Sequence, residues 1–155
     1  MINRDLKAIK LKDLFFVLLY SVLLTIALAM LFGLIDSLFV KYLSTRLSGL
    51  LFWLLAYIMG TMIRKQYLEP HIVYSGITLI SLLFSAVIIE ALPVVLIYAQ
   101  AAEYASIIFD VRIYWNWLIF YYNPLNLIRY FDFNYLITLL MIGVGTYLGV
   151  KRTYS

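Results

Sequence analysis

Long uncharged apolar runs, separated by short polar stretches, set the first expectation for this chain. Residues 14–35 make a run of 22 without a charge. Residues 47–63 make a second, of 17, between Arg46 and the pair Arg64-Lys65. A third begins at Ile72 after Pro70, is uncharged to Ile89, meets Glu90 and Pro93, and stays apolar to Ala99. A fourth covers 133–150 and ends at Lys151-Arg152. A helix rises about 1.5 Å per residue and the hydrocarbon core is about 30 Å thick, so about 20 apolar residues cross it. The pattern predicts an all-α membrane protein: a four-transmembrane-helix bundle with spans near 14–35, 47–63, 72–92 and 133–150. The second run is short, but Arg46 and Arg64 can extend it by snorkelling outward.

Residues 100–132 do not read as an ordinary loop. They hold Tyr104, Phe109, Tyr114, Trp115, Trp117, Phe120, Tyr121, Tyr122, Tyr130 and Phe131. Tyr and Trp favour the membrane–water boundary, where the ring is half buried and its polar atom stays wet. With Asn123 and Pro124 as a break, this predicts one or two short interfacial helices on the outer side. A fifth span through 91–109 is the rival, opposed by Gln100, Glu103 and Pro93.

Orientation follows the basic residues near span ends. Four spans with the N-terminus inside place Arg4, Lys7, Lys10, Lys12, Arg64, Lys65, Lys151 and Arg152 inside. Lys41, Arg46, Arg112 and Arg129 then lie outside. The bias predicts a multi-pass protein of the cell (inner) membrane with both termini cytoplasmic. The basic lead before residue 14 suggests a secretory signal, but the apolar run exceeds the roughly 7–15 residues of one, so an uncleaved first span is expected.

Composition agrees. The chain of 155 residues is 65% hydrophobic and 13% charged, against about 25% charged in soluble domains. Its net charge of +4 lies beside apolar runs, which suits anionic lipid headgroups on the cytoplasmic side better than nucleic acid. With no cysteine, disulfides, thiolate metal sites and cysteine nucleophiles are excluded.

Among candidate functional residues, Glu90 ranks first, because an acid in a membrane helix is costly. It is the nineteenth residue from Ile72, so a helix entering from inside puts it near the outer boundary, solvated or paired with Arg46 or Arg112. Glu103, Asp110 and Arg112 are the other candidate polar residues of that outer side; paired carboxylates there would offer a general acid and base. Asp36 reads as a boundary residue closing the first run. His71, the lone histidine, reads as a solvated turn residue, since metal sites need three or four ligands. No phosphate loop, nucleophile elbow or His-Glu-x-x-His pattern occurs, and no cofactor is implied. Ala56-x-x-x-Gly60 and Gly145-x-x-x-Gly149 are small-residue pairs that let helix backbones approach, within the bundle or between copies.

Three stretches carry a resemblance: 28–35 (LAMLFGLI), 57–65 (YIMGTMIRK) and 123–127 (NPLNL). Together they resemble small, poorly characterised bacterial inner-membrane proteins with four spans, in which a glycine-bearing second span ends in a basic pair and an Asn-Pro turn precedes an interfacial helix. The resemblance implies a bacterial origin and the four-span layout, and brings no catalytic residues. The cytoplasmic and zinc-ribbon segments that some such proteins carry are missing here. The expected function is that of a non-enzymatic subunit, scaffold or accessory factor of a membrane complex, with a membrane-protein partner or further copies of itself. The alternatives are a small transporter or channel component using Glu90, and an interfacial enzyme acting on lipid.

Overall fold

A computed structural model describes residues 11–102, 104–129 and 132–154. Among them the chain is all helical. In order come α1 (Leu11–Leu43), α2 (Ser48–Arg64), α3 (Ile72–Ala102), a 3₁₀ turn (Ala105–Phe109), α4 (Val111–Tyr121), α5 (Pro124–Arg129) and α6 (Phe133–Tyr154). Three of these, α1, α3 and α6, are long and apolar enough to cross a membrane; α2 is a shorter apolar helix.

The four longer helices pack into one bundle. α2 lies along α6 and α1 along α3; α3 also touches α6, and α1 touches α2. The inward stripes repeat at helical spacing. On α2 they are Phe52, Leu55, Ala56, Met59, Gly60 and Ile63; on α6, Ile142, Gly145, Thr146, Gly149 and Thr153. Outward positions of the same helices, such as Trp53, Leu54, Leu140 and Val144, are apolar and exposed. Apolar residues on both faces are what lipid rather than water as solvent requires.

The two small-residue pairs meet each other. A Cβ on Gly60 would strike the backbone of Gly149, and one on Gly149 would lie 2.9 Å from the Ala56 carbonyl oxygen and 2.7 Å from Leu82 Cδ1. A Cβ on Gly145 would sit 3.0 Å from the Phe52 ring. The contact is therefore within the bundle, between α2 and α6.

One end of the bundle collects the start of α1, the α2–α3 turn and the end of α6. There Tyr67 donates its hydroxyl to the Thr153 carbonyl and stacks on Tyr74 with ring centroids 4.2 Å apart. Arg64 donates to the Tyr67 carbonyl at 2.9 Å, and Arg152 lies over the Tyr57 ring. His71 is part of this turn. It is half-buried, and its Nδ1 accepts the Val73 amide at 3.2 Å, so it caps the start of α3 instead of standing free in solvent.

Two boundaries differ from the sequence reading. The first helix runs to Leu43, well past Asp36, and the third runs through Pro93 to Ala102 instead of stopping near 92. Pro93 removes one amide and crowds the carbonyl four residues back, but apolar flanks on both sides keep the helix going. At roughly 1.5 Å per residue these helices measure about 45–50 Å, longer than the hydrocarbon core. Residues 91–102 are thus the end of α3 and not a span of their own. Ser44 closes α1 with a left-handed backbone, φ 52°.

Candidate functional site

The second end of the bundle holds a charge cluster built from three elements. Asp36 lies on the inward stripe of α1, in helical register with Thr25, Ala29, Phe32 and Gly33. Arg46 sits in the α1–α2 loop. Glu90 lies on α3 one turn from Pro93. α1 and α3 come close here, since a Cβ on Gly33 would lie 2.9 Å from Leu92 Cδ2 and 3.5 Å from Ile89 Cα.

Arg46 joins the two acids. Its Nη2 stands 3.0 Å from Glu90 Oε2 and 3.5 Å from Asp36 Oδ2. The same nitrogen donates to the Glu90 carbonyl oxygen at 3.0 Å. A carbonyl oxygen has two lone pairs, so the Glu90 carbonyl can take this bond within the helix; Pro93 itself leaves the carbonyl four residues back, that of Ile89, without its amide. Asp36 Oδ1 accepts the Leu47 amide at 2.8 Å. Leu47 precedes α2 and offers no side-chain cap, so Asp36 caps α2 from a different helix, where a carboxylate also suits the helix dipole.

Burial is steep across the cluster. The Asp36 side chain is 0% exposed and that of Glu90 8%, whereas that of Arg46 is 42%. The sequence reading of Asp36 as a boundary residue is corrected: it is wholly enclosed, because the inward stripe of α1 extends through it. Two carboxylates against one guanidinium, 1 − 2, leave an excess of one negative charge when all are ionised.

The exposed face of Arg46 and the Glu90 carboxylate line a cleft of about 790 Å³. Ser48, Trp117, Tyr121 and Tyr135 contribute to its wall. The aromatic residues arrive because α4 turns back against α3. Tyr122 donates to the Leu83 carbonyl at 3.1 Å, and Tyr135 of α6 donates to the Tyr121 carbonyl at 2.6 Å. The rings of Tyr121 and Tyr135 meet edge to face, centroids 5.2 Å apart. Burial, with Glu90 nearby, raises the Tyr121 phenol above its ordinary range, so the ring keeps its proton. Among the described residues, Glu90 Oε1, Asp36 Oδ2 and the Tyr121 hydroxyl are buried without a hydrogen-bond partner.

The other candidate residues lie elsewhere. Asp110 and Arg112 are exposed; the Asp110 side chain caps α4 by accepting the Arg112 amide at 3.0 Å. Neither lines the cleft. The partner of Glu90 is therefore Arg46 and not Arg112. Glu103 lies outside the described residues. Asp36 was the residue that sequence reasoning underrated, and its signal was its helical register with Gly33 and Phe32. Compared with known protein families, with curated proteins and with solved structures, the chain matches none. The likeness to small bacterial membrane proteins thus rests on the three stretches quoted for it.

Chemically, the cluster is a clamp. Asp36 is engaged at both oxygens, by Arg46 and by the Leu47 amide, and Glu90 at one, by Arg46, so the two do not stand free as an acid–base pair facing solvent. Of the three residues only Arg46 and Glu90 line the cleft, so the exposed face of the guanidinium and the second Glu90 oxygen are what remains for a ligand there.

Proposed function

We propose that this chain is a four-span protein of the cell (inner) membrane, with both termini cytoplasmic, that serves as a non-enzymatic scaffold or accessory subunit. The observation that carries this is the Asp36–Arg46–Glu90 clamp, which ties α1, the start of α2 and α3 together at the outer end. Supporting it, α2 and α6 are locked through glycine contacts, and the basic pairs Arg64-Lys65 and Lys151-Arg152 belong to the opposite, inner end. α2 has 17 residues, close to the shortest spanning length of about 17 residues, and snorkelling arginines at its ends suit that role. The α4 region, with its exposed Trp115 and Phe109, fits the outer interface, and the cleft beside it is the natural place for a partner or ligand.

A second reading, a small transporter component using Glu90, has one observation in its favour. Buried hydroxyls of Thr78 and Ser85 lie on α3 between the Tyr67 end and Glu90, and Thr146 of α6 adds another. Most of these donate to their own helix: Thr78 to the Tyr74 carbonyl and Ser85 to that of Ser81. That is the ordinary way a hydroxyl is satisfied in an apolar helix.

Reporter fusions after Ser155 and at Lys41 test the layout. A cytoplasmic signal from the first and an external signal from the second are expected; an external C-terminal reporter overturns the four-span reading. Loss of a measured ion flux in a stably folded Glu90→Gln variant would promote the transporter.

A further inference from the structure

The clamp explains why Arg46 contacts Glu90, but not the chemistry left facing the cleft. Glu90 is 6% exposed; Arg46 takes its Oε2 and the Ser48 side chain hydrogen-bonds to the carboxylate, while Oε1 has no close hydrogen-bond partner among the described residues. Beside it the Tyr121 hydroxyl is in the same position. A carboxylate oxygen can only accept, so the group that completes this corner is a donor. The excess negative charge of the cluster favours a donor that is cationic. The aromatic wall of Trp117, Phe120 and Tyr121 offers ring faces, which attract organic cations.

The neighbouring feature has the opposite sign. Arg46 is held on one side by two acids, and its exposed remainder lines the same cleft. A guanidinium presents several donors in a fork suited to phosphate. A cation-accepting oxygen and an anion-binding fork therefore stand side by side. Beyond them the lining becomes apolar, at Leu50, Ile137 and Met141. Leu50 and Ile137 are 55% and 41% exposed on the outward faces of α2 and α6, so the cleft opens toward the lipid-facing surface.

We propose that the cleft binds a phospholipid whose head group carries an ammonium, with the ammonium at Glu90 Oε1 beside Tyr121, the phosphate at Arg46, and the acyl chains leaving past Leu50 and Ile137. The proposal rests on the reading of this end as the membrane's outer boundary, and it names what the accessory subunit holds there. No covalent step is involved.

The test uses the full chain in maltoside micelles, with lipid adducts counted by native mass spectrometry. The probes are phosphatidylethanolamine, its N-acetylated form, phosphatidylglycerol and free phosphoethanolamine. A charge-assisted hydrogen bond predicts that phosphatidylethanolamine binds about tenfold more tightly than the N-acetylated lipid, which has the same phosphate and chains but no cation. Glu90→Gln should erase that preference and retain phosphate-dependent binding. Equal binding of all three lipids by the wild-type chain overturns the proposal, and this comparison needs no variant to fold. Free phosphoethanolamine competing at the same concentration as the lipid overturns the amphiphile, leaving a soluble ammonium ligand. Binding in micelles does not depend on sidedness, so its failure is distinguishable from a topology result that overturns the four-span reading.

Discussion

Arg46 holds Glu90 by both its side chain and its backbone: one nitrogen stands 3.0 Å from the carboxylate Oε2 and 3.0 Å from the carbonyl oxygen of the same residue. Removing the arginine therefore takes the charge partner from two enclosed carboxylates and a hydrogen bond from a helical carbonyl. Breaking a buried ion pair from one side costs about 3–5 kcal/mol. The Arg46 side chain is 42% exposed, so water replaces part of it and Arg46→Gln should fall near or below the lower end of that range. Adding Glu90→Gln to Arg46→Gln should recover part of the loss, because one stranded charge disappears. Thermal unfolding in detergent measures both; strictly additive effects would show that the pair is not coupled.

The glycines divide by what surrounds them. Gly60→Ala and Gly149→Ala place a methyl against backbone, which cannot yield, so each should destabilise by roughly 1–3 kcal/mol as overpacking does. Gly145→Ala meets the edge of the Phe52 ring at 3.0 Å and the Trp53 backbone only at 3.4 Å, so it should cost less; Gly145→Leu should cost as much as the first two. A Cβ on Gly143 or Gly76 meets nothing within 4 Å, so Ala there should stabilise the helix by roughly 0.5–1 kcal/mol. Equal melting shifts for Gly143→Ala and Gly149→Ala would refute this packing.

Tyr67 makes its end of the bundle sensitive to alkali. Burial is the main reason its phenol titrates above its ordinary value of 10.0, against the pull of Thr153 and Arg64. A raised folded value means the stabilisation is complete below about pH 10 and is lost as pH climbs from there through the folded value. Tyr67→Phe should lower stability at pH 7 by about 1 kcal/mol, for the hydrogen bond to Thr153, and flatten the decline above pH 10. An unchanged alkaline slope in the variant would assign that slope to other groups.

Trp115 and Trp117 sit on one short helix with different surroundings. Trp115 is 53% exposed, whereas Trp117 lines the cleft. In bilayers carrying quenchers at graded depth, shallow quenchers should act on Trp115 strongly, and Trp117 should respond less. Fully water-like emission from both would remove α4 from the interface.

The sequence alone was enough for the helical class, the places of the four longer helices and the small-residue pairs, because these depend on local runs of apolar residues and on spacing within one helix. It also drew attention to Glu90, since a charge inside an apolar run is visible without any fold. Which helix each glycine pair faced, and how far α1 and α3 continued beyond their uncharged cores, depended on neighbours. So did the partner of Glu90. Arg46 and Arg112 were equal candidates by charge and by side of the membrane, and only the packing of α1 against α3 brought the 44–47 loop over Glu90. Asp36 shows the reason most plainly: as the end of an apolar run it reads as a boundary residue, but α1 continues past it and turns it inward. A carboxylate's burial is decided by what surrounds it in three dimensions, and those surroundings come from residues eleven and fifty-four positions away, Leu47 and Glu90.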